Sequence, residues 1–249
     1  MAKIIRCHLP TGVHRFEPFT VADYRDFLLI RNEIQTNPDD KYKIIDELLE
    51  EYYGDYPEEY RGYIFLLVLT SSTGKSKIPV TFECPICGKS KRHLFNLEQA
   101  PLKTPTINTA GLELSFKFPK VFSEDYGQLF LDTIDSVKDS QGVYSWDSLD
   151  DDNKAQVIEA ITYQDFETLI ERLHPIYFSL TTRCCETHKL VYDNIVDIFN
   201  LLLNPDEVFT FYQINHLLAK SNYSITDVMS MIPLERNIAL SLVERDSKK

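Results

Sequence analysis

Five cysteines and six histidines are the side chains of this 249-residue chain best suited to bond-making chemistry, and four of the cysteines form two close pairs. Cys84-Pro85-Ile86-Cys87-Gly88 sets two thiols three residues apart on a turn completed by glycine, a knuckle that offers both sulfurs to one metal ion. The second pair, Cys184-Cys185, runs into Glu186-Thr187-His188, where Cys185 and His188 repeat the three-residue offset with an imidazole in place of a thiol. Thiolates and imidazole in a tetrahedral set are zinc ligands, so the spacing predicts a Cys3His site built from Cys84, Cys87, Cys185 and His188. Four protein ligands leave no position for water, which makes such a zinc structural and not catalytic. Cys184 competes with Cys185 for the third place, and only the copied spacing favours Cys185. His93 and the Cys7-His8 pair are weaker candidates. The long stretch between the two pairs is no obstacle, because the entropy of loop closure grows only with the logarithm of loop length. The other readings of Cys84 and Cys87 are buried thiols or a redox pair. A redox CxxC would open a helix after a strand, whereas here a glycine and a second strand follow.

No other constellation builds an active site. Gly74-Lys75-Ser76 looks like the end of a phosphate-binding loop, but Leu69 stands where the first glycine of that pattern belongs. His14, His174 and His216 have no partners at ligand spacing, and Asp150-Asp151-Asp152 lacks the interleaved Gly and Asn of a calcium loop and reads as a solvated helix start. The expectation is a protein that is not an enzyme.

The elements that must position the two cysteine pairs can be read from hydrophobic periodicity. Ile78, Val80 and Phe82 before the first pair, and His93, Phe95 and Leu97 after it, alternate as strands do, so the motif is strand, knuckle, strand. A short strand over 178–182 precedes the second pair, and residues 190–200 lead away from it, as though two similar hairpins faced each other. Upstream, residues 3–18 form a hairpin turned by Pro10-Thr11-Gly12, and three helices follow. The first is capped by Thr20 with Asp23 at its third position, the second starts at Asn37-Pro38-Asp39-Asp40, and the third opens at Pro57-Glu58-Glu59. Residues 63–69 of the third are apolar on every side, which predicts the most buried helix. Between the cysteine pairs come a Pro- and Thr-rich linker over 101–109 and an alternating strand over 112–118. Helix continuing through Phe130, Ile134 and Val137 follows, then further helix that Pro175 stops. Residues 206–249 read as helical.

The resulting fold class is α+β, predominantly helical, with an N-terminal β-hairpin and a small zinc-ribbon-like β element formed by two knuckles. Three segments are expected to make one compact unit: a hairpin and helical cluster over 1–77, the knuckle element with a helical insertion at about 120–175 inside 78–200, and C-terminal helices over 201–249. At 29.0 kDa the chain buries roughly 70% of its unfolded surface, enough for a core without disulfides.

Charge narrows the partners. Thirty-eight acidic residues against 26 basic give a net charge of −12, and a surface that tracks nucleic-acid phosphates needs clustered Lys and Arg. No apolar run approaches the ~20 residues of a membrane span, no signal-peptide core is visible near Met1, and an odd number of cysteines argues for a reducing compartment. Tyr42, Tyr52, Tyr53, Tyr56 and Tyr60 lie among acids, either as half-buried packing or as interface anchors. In the tail, Val228, Met229, Met231, Ile232, Leu234 and Leu242 are more apolar side chains than a terminal segment needs. Packing on the body is the more ordinary reading of them; the other is a contact surface, for which the C-terminal helices are the preferred region because Met suits adaptable surfaces.

The order "HLPTGVHRFEPFT", "FECPICG", "CCETH" and "ITDVMSMIPLERNIALSLVERD" resembles the baseplate hub assembly proteins of T4-like contractile-tailed bacteriophages over nearly the whole chain. The first knuckle and residues 231–236 carry it most specifically; the departure is the doubled Cys184-Cys185 with His188 where a second CxxC would be expected. The resemblance implies a non-enzymatic assembly factor in the cytoplasm of the infected bacterium, whose partners are phage baseplate hub proteins, with no nucleic acid and no membrane span. The alternatives are a stoichiometric hub component or, from another class, a zinc-ribbon accessory protein for nucleic-acid transactions, which would need a basic face.

Overall fold

The computed structural model describes residues 4–123 and 125–247. Strands β1 (Ile5–Leu9) and β2 (Gly12–Phe16) form the N-terminal hairpin, with Leu9 opposite Gly12 and the glycine at φ 128°, a value that L side chains rarely adopt. Lys3, where the expected hairpin begins, lies outside the described residues. Helix α1 (Val21–Thr36) opens with the anticipated capping box: the Asp23 amide donates to the Thr20 hydroxyl at 3.2 Å and the Thr20 amide to the Asp23 carboxylate at 2.7 Å. Pro38–Asp40 forms a single 3-10 turn in place of a first α-turn, and α2 (Lys41–Tyr53) follows it.

Helix α3 (Glu58–Thr73) is the most enclosed element, with Ile64, Phe65, Leu66, Val68 and Leu69 all within 1% of full burial. Its buried hydroxyls remain satisfied because Thr70, Ser72 and Thr73 donate to the carbonyls of Leu66, Val68 and Leu69 at 2.7–2.8 Å, and Ser72 also accepts from the Phe19 amide. Around α3 sits the main core, which includes a ring cluster of Phe19, Phe27, Phe65 and Tyr52. The helix stops at Gly74, at φ 69°, where only a residue without Cβ takes the left-handed conformation freely.

Two further hairpins follow the pattern of the sequence. β3 (Lys77–Glu83) pairs with β4 (Ser90–Asn96), and β9 (Phe178–Arg183) pairs with β10 (Thr187–Tyr192), each a separate two-stranded antiparallel sheet. Between them the chain departs from expectation. The expected linker supplies β5 (Thr106–Thr109); β6 (Leu112–Phe116) comes next, and α4 (Tyr126–Thr133) ends before the residues expected to prolong it. Ile134–Lys138 is instead β7, which pairs with β6 and with β8 (Val143–Ser145) in a four-stranded antiparallel sheet ordered β5-β6-β7-β8. β-branched Ile134 and Val137 suit a pleated surface as well as a helix, and the ladder to β6 decides between them. Helices α5 (Asp151–Glu159) and α6 (Tyr163–Arg172) complete this insertion around a second core built on Leu114, Phe116, Leu129 and Leu169.

The chain returns through α7 (Ile195–Leu202), whose Ile198 and Phe199 enter the main core, and ends with α8 (Glu207–Lys220), α9 (Ile225–Ser230) and α10 (Pro233–Asp246). This tail is anchored to the body. The Val21 amide donates to the Met231 carbonyl at 2.7 Å, Met229 and Met231 pack on the main core, and buried Arg236 lies over the Phe211 ring at 4.6 Å. Of the six tail side chains proposed as a contact surface, only Leu242 is exposed. Val228 is buried, Met229 and Met231 pack on the main core, and Leu234 lies against Gly74, so these four follow the packing reading. The architecture is α+β and predominantly helical, as the sequence implies.

Candidate metal centre

The β3–β4 and β9–β10 hairpins face each other, held along their length by Phe95 against Phe178 and Tyr192 at 5.8 and 5.0 Å between ring centroids. The Thr182 hydroxyl lies 2.9 Å from His93 Nε2, and Lys91 donates to the Arg183 carbonyl. Their tips carry the cysteines. In the first knuckle the Gly88 amide donates to the Cys84 carbonyl at 2.8 Å and the Cys84 amide to the Lys89 carbonyl at 3.0 Å, with Gly88 at φ 67°. In the second, the Cys184 amide donates to the Glu186 carbonyl at 2.9 Å.

This arrangement gathers Cys84, Cys87, Cys184 and Cys185, whose sulfurs all lie within 4.8 Å of one another, with Cys87 and Cys184 at 3.5 Å. A zinc ion with Zn–S bonds of ~2.3 Å requires tetrahedral sulfur–sulfur edges of ~3.8 Å, so contractions of about 1 Å at most would close four thiolates on one ion. Cys84 is buried while Cys87 and Cys185 reach the surface. Backbone amides, first that of Cys87 and then those of Ile86 and Cys185, draw the Cys84 thiol down to about 6. Hydrogen bonding to Cys87 pushes the Cys185 thiol up to about 12 and raises Cys184 as well. Without a cation the Cys84 thiol thus ionises readily while Cys184 and Cys185 hold their protons, and a divalent cation bound to the sulfurs would remove that resistance. Four cysteines in this geometry can hold a metal ion.

His188, expected among the ligands, is not in this group. Its ring lies 5.0 Å from Phe82, tilted by 40°, and its Nε2 is buried without a hydrogen-bond partner. Loop length accounts for the difference. Arg183 pairs directly with Thr187, so the second loop holds only Cys184, Cys185 and Glu186, while Glu83 pairs with Ser90 across a loop of six. A three-residue offset that stays within the first loop therefore carries residue 188 into β10, opposite Thr182. The doubled cysteine was the signal for Cys184, which sequence spacing ranked second. The weaker candidates lie elsewhere: His93 contacts Thr182, and Cys7 is buried in the main core, where desolvation pushes its thiol up to about 11. Among the described residues the four-cysteine cluster is the one grouping of ligand side chains close enough for an ion.

A helical α+β body with two facing hairpins whose tips bring four thiols together defines a ribbon-like element that could hold a metal ion. The family model described as T4 bacteriophage base plate protein matches residues 1–200, and that described as the C-terminal domain of baseplate hub assembly protein Gp51 matches residues 202–248. The chain belongs to the T4 baseplate protein family and has a role in assembly of the phage baseplate hub. No curated protein and no solved structure matches it. No helix among the described residues is long and apolar enough to cross a membrane.

Proposed function

We propose that the protein is a non-enzymatic, chaperone-like assembly factor that binds a hub protein in the bacterial cytoplasm, promotes its incorporation into the baseplate, and leaves. The observation that carries this reading is the match of residues 202–248 to the C-terminal domain of a hub assembly protein, beside a baseplate match over the rest of the chain. We further propose that one structural zinc is held by Cys84, Cys87, Cys184 and Cys185. Thiol chemistry and the ~3.8 Å edge requirement support zinc, and a sphere filled by four sulfurs leaves no site for a reacting water. The −12 charge supports a protein partner over DNA. Mass spectrometry of purified hub intermediates and of finished virions tests the reading: the protein should accompany hub intermediates and be missing from virions. Its recovery in virions at a fixed ratio to hub subunits would make it a stoichiometric component instead.

A further inference from the structure

The insertion between the hairpins carries exposed apolar side chains at the edge of its own core. Between α4, the end of α5 and the start of α6 lies an open groove of about 430 Å³, floored by Phe130, Ile161 and Phe166. Its walls are Leu131, Ile158 and Tyr163, which remain 46%, 44% and 77% exposed. Past Tyr163 and Phe166 the groove continues into a second hollow of about 550 Å³. Large apolar side chains left this open in one elongated depression mark a surface meant to be covered.

Charge narrows what covers it. The stretches that supply the walls, residues 125–133 and 150–167, hold eight acidic residues and one lysine, and that Lys154 is drawn onto the Trp146 ring at 5.7 Å. A second copy of this chain, itself at −12, would bring like charge against these acidic segments. The first hollow is lined by uncharged side chains alone, and the second also by Glu167, Glu171 and Lys189, the last two paired with each other at 2.8 Å. An apolar groove bordered by acidic helices fits an amphipathic helix whose apolar ridge is flanked by Lys and Arg.

We propose that the α4–α5–α6 groove docks a basic amphipathic helix of the protein partner. This rests on the assembly-factor reading, and it assigns the contact to the insertion and not to the C-terminal helices.

The test displays 20-residue tiles of the phage's own structural proteins and selects them with the full-length, metal-loaded chain. Bound tiles should carry apolar residues at helical spacing with Lys or Arg beside them. Because Leu131 and Ile158 are exposed, Leu131→Asp and Ile158→Asp should keep the helical circular dichroism and the wild-type melting temperature. Each should weaken binding of a selected tile at least tenfold in fluorescence anisotropy, while Val143→Asp, at an exposed apolar position outside the groove, should leave it unchanged. No bound tile, bound tiles without basic flanks, or equal binding by the groove variants would overturn the proposal. So would concentration-dependent dimerisation in analytical ultracentrifugation that Leu131→Asp abolishes. Co-purification of the wild-type chain with hub intermediates is read separately, so the groove can fail while the assembly reading stands.

Discussion

Replacing Cys184 by alanine and, separately, His188 by alanine asks whether loop length or copied spacing selects the metal ligands. Cys184 Sγ sits 3.5 Å from Cys87 Sγ inside the four-sulfur cluster, whereas His188 packs against Phe82 outside it. If zinc saturates the folded protein at ~1,000 times its dissociation constant, binding contributes about 4 kcal/mol that the metal-free chain lacks. The hairpins are coupled to the main core through buried Ile78, Val80, Phe95 and Leu97, so the loss should be felt in global melting. At ~2.1 cal/mol/K per residue, 249 residues unfold with an entropy of ~0.5 kcal/mol/K, which turns ~4 kcal/mol into a fall of ~8 °C. Cys184→Ala should therefore reproduce most of the effect of a strong chelator and lower bound zinc well below one equivalent. His188→Ala removes a ring contact and should cost about 1 kcal/mol, or ~2 °C, with one zinc retained. Calorimetry with and without chelator, beside metal analysis of the same samples, reads both quantities. Full zinc occupancy in Cys184→Ala together with zinc loss in His188→Ala would refute the argument from loop length.

Three other outcomes follow from the packing. Phe65→Ala deletes a fully buried ring in contact with Phe19, Phe27 and Phe199 and should destabilise by about 3–5 kcal/mol, seen as a lower denaturation midpoint with unchanged zinc content. His174 stacks on Phe122 at 3.8 Å, and burial holds its folded pKa below the unfolded value of ~6.5. Its contribution is thus complete above pH ~6.5 and is lost as pH falls toward the folded pKa, so between pH 6.5 and 5 the wild type should lose stability faster than His174→Gln in denaturant titrations. Deleting residues 224–249 removes the Met231 carbonyl that accepts from Val21 and the buried Arg236, and should yield aggregated or partly unfolded protein. A monomeric truncated form that keeps its zinc and wild-type melting would show that the tail is dispensable to the body.

Local chemistry made much of this protein legible from its sequence. The Thr20 cap, the all-round apolar run of α3 and the period-two strands flanking Cys84 and Cys87 each encode their structure within a few residues, so each was readable without knowledge of neighbours. The convergence of two cysteine pairs was readable as well, because thiols at knuckle spacing have few other uses. Where the outcome depended on a partner strand, sequence was insufficient. Residues 134–138 satisfy a helical period and a strand equally, and only the ladder to β6 makes them β7. Likewise, Cys184 and Cys185 are distinguished from His188 by the pairing of Arg183 with Thr187, which shortens the loop to three residues and leaves the imidazole in the strand. The tail's apolar residues could not show from their types alone whether water or α1 and α3 would meet them. Tertiary contacts decided that, since burial is a property of what else packs nearby and not of the residue itself.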